Sequence, residues 1–380
     1  MKTILGIERI DEFKEIFEGK KIGLITNPTG IDSNFKSSID ILLEKTNLIA
    51  LYSPEHGVRA SIQAGMEIDT YIDEITNLKV YSLYGHNKKP SYEVLKDIDI
   101  LAIDIQDCGS RYYTFIYTMA YCMMACKEYN KTFLVFDRPN PIGCDKVEGN
   151  ILDVKYRSFV GYYPIVQRHG MTMAELALMF NKEFGIGCDL KIIPMKNYER
   201  WMSFEDTHLP WVVPTPNLPT INTAYTYNTT CVFEGTNVAE GRGTTTPFEL
   251  VGAPWIKSEI LADQLNSYKL PGVFFRPQYF TPTFSKYQGE LCGGVFVHVT
   301  DRKAFNSMKA SWVMLEVIRR GYKEFVVNKP YKEGRPSLFE FEVGCDYMID
   351  MRYSLEEELK LLDEDALKFE ALRKPYLIYE

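Results

Sequence analysis

The chain has 380 residues, with 43 Lys plus Arg against 51 Asp plus Glu and a formal charge of −8 at pH 7. Hydrophobic residues make up 46% and charged residues 25%, which excludes a disordered chain, while the acidic balance excludes a general attraction for nucleic acid or an anionic membrane. No apolar run reaches the roughly eighteen residues a membrane helix needs, and the length predicts two domains or one large α/β unit.

The opening stretch from Met1 to Phe13 carries charge where a signal peptide needs its apolar segment. Eight cysteines are scattered without a regular framework, so they read as free thiols in a reducing compartment, and a cytoplasmic location follows as the expectation. Cys122 and Cys126 form the one close pair, in an apolar helical stretch with no His or second Cys pair nearby, and no metal or other cofactor is expected.

In chain order, Lys21–Thr26 is a short β-branched run that ends in the turn residues Asn27, Pro28 and Gly30. Ser38–Leu43 reads as helix, Leu48–Tyr52 as a second strand and Lys79–Ser82 as a third. Ser91 reads as a helix start, and Ile98–Ile105 is the near-continuous apolar run of a strand buried on both faces. Phe115–Tyr129 is a long apolar helix and Thr132–Asp137 the fifth strand. Strands alternating with helices over short connections predict a Rossmann-like, doubly wound, mostly parallel sheet over residues 1–150.

Residues 151–380 read as a second, smaller α/β domain that closes a cleft against the first. Thr172 and Glu175 have capping-box spacing and open an amphipathic helix to about Phe184, followed by a strand over 189–193. Pro210, Pro214, Pro216 and Pro219 make 209–219 irregular, and Gly235–Gly243 is a glycine-containing loop. Gly293–Val299 reads as strand, Arg302–Arg319 as helix and Ser354–Phe369 as a charged terminal helix.

Ligands of open α/β sheets bind outside the carboxyl ends of the strands, and here each such end is unusually polar. The loops contribute Glu55 and His56; Asp104, Gln106, Asp107 and Arg111 with Tyr112 and Tyr113; and Asp137, Arg138 and Asn140. Asp104 and Asp137 also suit turn or helix caps, and His56 suits a hydrogen bond to a backbone carbonyl. Glu55 has no helix to cap, which favours a functional role. In the second half, Arg168 and His169 precede a helix N-terminus, and Glu234, Glu240 and Arg242 sit among glycines that allow close backbone approach.

Phosphate-cradling glycine motifs, the zinc-hydrolase H-E-x-x-H and the G-x-S-x-G elbow are all absent from the sequence. Carboxylates, arginines and aromatics without those motifs fit acid–base cleavage of a carbohydrate.

Ser53-Pro-Glu-His-Gly57, Tyr81-Ser-Leu-Tyr-Gly85, Asp104-Ile-Gln-Asp107, Arg111-Tyr-Tyr-Thr114 and Asp137-Arg-Pro-Asn-Pro141 together resemble the exo-β-N-acetylmuramidase family (NamZ-type), long known only as a domain of unknown function. Arg168-His-Gly-Met-Thr172, Pro216-Asn-Leu-Pro219, Phe233-Glu-Gly-Thr-Asn237 and Glu240-Gly-Arg-Gly-Thr244 extend the resemblance, which runs from about Gly6 to Val299. It implies a Rossmann-like domain joined to a smaller α/β domain, an active site in the cleft between them, and release of N-acetylmuramic acid from the non-reducing end of peptidoglycan fragments in cell-wall turnover. The implied partner is a muropeptide-derived saccharide.

Within that frame Glu55 is expected to be the general acid, with Glu240 or Glu234 as base or nucleophile and His56 as a further catalytic candidate. Alternatively the substrate's own acetamido group attacks, oriented by Asp104 or Asp107. The lactyl carboxylate calls for a bidentate arginine, drawn from Arg111, Arg138, Arg168 and Arg242, with Arg168 preferred. Tyr112 and Tyr113 pack against the sugar, and Gln106, Asn140, His169 and Asn217 complete the expected binding set. A non-catalytic muropeptide sensor and a nucleotide-binding Rossmann-type enzyme are the competing readings.

Overall fold

The computed structural model describes residues 1–55, 57–59, 70–83, 85 and 88–380. Seven strands form the larger sheet: β1 (Lys21–Thr26), β2 (Asn47–Ser53), β3 (Tyr71–Ile72), β4 (Lys79–Ser82), β5 (Ile100–Asp104), β6 (Thr132–Phe136) and β7 (Asp189–Ile193). Their order is β3-β4-β2-β1-β5-β6-β7, and every pairing is parallel except the short edge pair β3–β4. With β3 set aside, this is the doubly wound order, and the direction of winding reverses between β1 and β5.

The apolar runs explain the sheet's position. In β5, Ile100 and Ala102 pack into one core while Leu101 and Ile103 pack into the other, and in β6 Leu134 and Phe136 oppose Phe133 and Val135 in the same way. Successive side chains of a strand point to opposite faces, so a continuous apolar run is what a sheet covered on both sides needs. The Phe115–Glu128 helix covers the face of Leu101, Ile103, Phe133 and Val135 with a nearly unbroken buried surface. The expected boundary at 150 cuts this sheet: β7 lies beyond it and pairs with β6 along its length.

The second sheet is antiparallel, in the order β8-β10-β9, from β8 (Leu250–Ala253), β9 (Val273–Phe280) and β10 (Cys292–Val299). Pro277 sits within β9, which is tolerated because β9 is an edge strand. The helices Ser258–Ser267 and Ser307–Gly321 pack in this half. The latter starts five residues later than expected, because the Asp301 carboxylate accepts the Lys303 and Ala304 amides in a turn and Asn306 becomes the cap.

The helix Ile221–Thr230 escapes sequence reading. Its Thr, Asn and Tyr content is poor in helix propensity, but Thr220 caps it through Thr223 N and the segment from Thr223 to Thr230 is wholly buried. Tertiary burial rather than local preference makes it helical.

Candidate active site

The switch point between β1 and β5 is where the two halves meet. Glu55, just past β2, and Tyr112, Tyr113 and Thr114, in the loop after β5, form one wall of a cavity of about 260 Å³. Phe159, Val160, Thr215, Asn217 and Leu218 line it from the connecting segments. The far wall comes from Tyr227, Cys231, Glu234, Arg242 and Phe248, with Leu338 and Glu342 from the helix Leu338–Val343.

An aromatic chain fixes one wall against the other. The Tyr113 ring meets Tyr227 edge-on at 5.9 Å, Tyr227 meets Phe248 at 4.7 Å, and the Arg242 guanidinium lies 5.0 Å above Phe248. Thr114 Oγ1 donates to Glu55 Oε2 at 3.4 Å, so the Glu55 carboxyl faces the loop after β5. Glu55 is partly exposed, whereas Glu342 is only 1% exposed.

Arg242 Nη1 pairs with Glu234 Oε1 and lies 3.6 Å from Glu240 Oε1. Glu240 does not line the cavity: it is buried behind Arg242, and its Oε2 takes Lys286 Nζ at 2.9 Å. The base role expected of Glu240 therefore has no access to a ligand here, and of the two candidates Glu234 alone reaches the cavity.

Several other expected ligands are committed to the scaffold. Arg138 grips Asp104 through Nε–Oδ1 at 2.5 Å and Nη2–Oδ2 at 2.9 Å, Ser38 also donates to Asp104, and neither member of the pair touches the cavity. Asp104 is thus a buried fastener between β5 and β6, not a catalytic or orienting group. Arg168, the preferred arginine, pairs with Glu148 at 2.7 Å and donates to the Ile142 carbonyl, with both charged side chains 2% exposed.

Arg111 is spent on carbonyls of Asn150 and Ile165 and of Glu342 and Val343. It holds the end of the Leu338–Val343 helix, and so positions the cavity wall instead of binding sugar. Gln106 and Asn140 also bond backbone carbonyls, those of Asp107 and Pro139 and of Met171.

Asp107 and His169 face each other beneath the site, with His169 Nε2 3.7 Å from Asp107 Oδ2. Burial pushes Asp107 up to about 7 and pushes His169 down to about 3, so it works against a charge on either member of the pair. Neither lines the cavity, so the acetamido-orienting role expected of Asp107 does not fall to it. His56, and Tyr84 of the Tyr81–Gly85 motif, lie outside the described residues.

Sequence reasoning missed Glu342, Cys231, Tyr227, Phe248 and Leu338. Glu342 follows no glycine loop and ends no strand, so no local signal marks it. Among the described residues, Cys231, Glu234 and Glu342 bring ligand-type atoms within 4.8 Å of one another. A cation is already in place against this group, since Arg242 pairs with Glu234, and burial pushes the Cys231 thiol and the Glu342 carboxyl well above their ordinary ranges. The set is built for hydrogen bonding to a polar ligand more than for holding a metal ion.

A doubly wound sheet beside a smaller antiparallel sheet, with a carboxyl-lined, aromatic-walled cavity between loops of the first and segments of the second half, fits an α/β protein of the glycosidase type. The chain belongs to the exo-β-N-acetylmuramidase NamZ family: the model of the family's N-terminal region matches residues 22–222 and that of its C-terminal region residues 225–379. It is 49% identical to the peptidoglycan β-N-acetylmuramidase NamZ of Bacillus subtilis (strain 168), over all of this chain and 92% of that protein. Two crystal structures of DUF1343 family proteins from Bacteroides fragilis NCTC 9343 superpose with TM-scores of 0.91 and 0.76, at 37% and 35% identity. Each comparison covers 100% of this chain and 99% of the other.

Proposed function

We propose that this cavity releases N-acetylmuramic acid from the non-reducing end of peptidoglycan fragments, with Glu55 as proton donor. The chain is an exo-β-N-acetylmuramidase, a glycosidase of peptidoglycan turnover, and what needs assigning is the work of each side chain. Hydrolysis of a β-glycoside needs a proton delivered to the leaving oxygen and a group facing the anomeric carbon. The observation that carries the assignment is that Glu55, just past β2, and Glu234, from the second half of the chain, line one cavity.

Glu234, paired with Arg242, is the carboxyl group available to activate water or attack carbon directly. Arg242 is the one of the four candidate arginines that lines the cavity, which supports it as the partner of the lactyl carboxylate. Tyr112, Tyr113 and Asn217 line the same space and supply apolar area with polar tips for the sugar ring. Eight buried, unpaired cysteines support a reducing compartment, consistent with cytoplasmic processing of imported fragments. Among the described residues no helix is long and apolar enough to cross a membrane.

The test is hydrolysis of N-acetylmuramyl-β-1,4-N-acetylglucosamine with products read by mass spectrometry. Free N-acetylmuramic acid is expected. Tight binding of the disaccharide without release favours a sensor and sinks the hydrolase reading.

A further inference from the structure

We propose that the open face of the three-stranded sheet is a second saccharide subsite, which takes the leaving part of a longer glycan and seats the lactyl carboxylate of its next muramic acid on Arg276; this rests on the muramidase reading above. That sheet has a packed face and an open one. Phe275, Val295 and Val297 point into the core, while Phe274, Arg276, Phe296 and His298, at the alternate positions of β9 and β10, stay partly or wholly exposed. Arg276 and Phe296 line a groove of about 580 Å³ there, together with Thr244, Thr246 and Phe284, a ring that is 52% exposed.

The groove continues the catalytic cavity. Arg242 and Phe248 line the cavity, whereas Gly243, the next residue after Arg242, and Leu250, two past Phe248, line the groove. One loop therefore borders both. Gly241 packs so closely on Leu250 that an added Cβ would lie 3.2 Å from Leu250 Cβ, and the Gly243 carbonyl accepts from Thr283 N at 2.8 Å and Thr283 Oγ1 at 2.9 Å. Leu250 stands opposite Phe296, and Phe296 opposite Arg276. Arg276 is thus two strand spacings, roughly 10 Å, beyond Leu250, where the continuation of a ligand reaches it and the sugar in the cavity does not.

Arg276 brings a charge without a counter-charge. Its Nε donates to His298 Nε2 at 3.1 Å, its Nη2 to Gln278 Oε1 at 2.6 Å and its Nη1 to the Pro277 carbonyl at 3.4 Å, all neutral acceptors. A guanidinium has five N–H groups, so one on each terminal nitrogen is left over, and a carboxylate can take both. The Phe296 ring lies 5.7 Å from the guanidinium carbon and steadies its plane. Flat apolar rings accept the C–H faces of a pyranose, and threonine hydroxyls meet its hydroxyls. A glycan of alternating N-acetylmuramic acid and N-acetylglucosamine offers both, with a carboxylate on every second sugar. A stem peptide offers carboxylates without the ring faces.

The experiment compares N-acetylmuramyl-β-1,4-N-acetylglucosamine with its β-1,4-linked dimer, a tetrasaccharide, by kcat/KM for release of the first N-acetylmuramic acid. Wild type prefers the tetrasaccharide by about tenfold, the worth of one charge-assisted contact. Arg276→Gln and Phe284→Ser, both at exposed side chains, bring the two substrates within about twofold of each other and leave the disaccharide within about twofold of wild type. Blocking the inner lactyl carboxylate of the tetrasaccharide as its methyl amide removes the preference in wild type.

Equal specificity for the two substrates in wild type, or a preference that survives either substitution, overturns the subsite. So does a preference that appears only when a stem peptide stands in place of the methyl amide. Calorimetric binding of both saccharides in the Glu55→Gln background reads the groove without turnover. Tighter tetrasaccharide binding that Arg276→Gln abolishes, with no turnover by wild type, removes the hydrolase reading alone; turnover without any such preference removes the subsite alone.

Discussion

Replacing Arg138 by Met tests whether Asp104 is a fastener or a catalytic group. The substitution removes two charge-assisted hydrogen bonds, at 2.5 and 2.9 Å, from a carboxylate that is 1% exposed, and leaves Asp104 with Ser38. It also frees the Ile31 carbonyl, which accepts from Arg138 Nη2 at 2.6 Å. Breaking a buried pair from one side costs about 3–5 kcal/mol, because a charge remains buried without its counter-charge. With a urea slope of ~3 kcal/mol per molar, the unfolding midpoint falls by about 1–1.7 M. Adding Asp104→Asn to Arg138→Met removes the stranded charge and restores part of the loss. Measured well below the transition, kcat/KM of the single variant stays within about threefold of wild type, since neither residue lines the cavity. A hundredfold loss of kcat/KM with an unchanged midpoint would refute this and return Asp104 to the chemistry.

Arg242→Met is expected to weaken N-acetylmuramic acid as a product inhibitor by tenfold or more while leaving N-acetylglucosamine nearly unaffected; equal effects on both sugars would remove Arg242 from carboxylate recognition. Gly235→Ala pushes the Phe339 backbone and the Glu342 helix out of place, and kcat/KM falls at least tenfold, a loss that steady-state kinetics on the disaccharide will read. Asp107, raised by burial to about 7 from 3.8, keeps its proton in the folded state where the unfolded chain has lost it, so it makes stability fall as pH rises from about 4 to 7. His169, lowered to about 3, acts the opposite way, losing stability as pH falls from 6.5 toward 3. The urea midpoint of Asp107→Asn relative to wild type should therefore increase as pH rises from 5 to 8; parallel profiles would contradict the assignment.

The larger sheet was legible because its strands are buried on both faces, as in Ile98–Ile105, and because one of the helices packed on it starts at a side-chain cap, Thr172. The Ile221–Thr230 helix was not, because burial and not propensity holds it. At the site, position after a strand singled out Glu55, Tyr112 and Tyr113, which line one cavity, but it could not separate them from Asp104, Arg138 and Asn140 at the same strand ends. That separation depends on which side chains find partners within the scaffold, a property of three-dimensional packing. Arg168 shows the same limit: its place before a helix suggested an anion site, and Glu148, twenty residues earlier, already fills it. Glu342 depends wholly on the chain's return from its C-terminal part to the cavity.

Glu55→Gln, assayed on the natural disaccharide and on an aryl N-acetylmuraminide with an activated leaving group, tests the central claim most directly. Loss of a proton donor lowers kcat about a hundred- to ten-thousand-fold on the disaccharide, whose leaving oxygen needs protonation, and only a few-fold on the aryl glycoside. Equal losses on the two substrates, or full activity on the disaccharide, would contradict the role of Glu55 and the account of this cavity built on it.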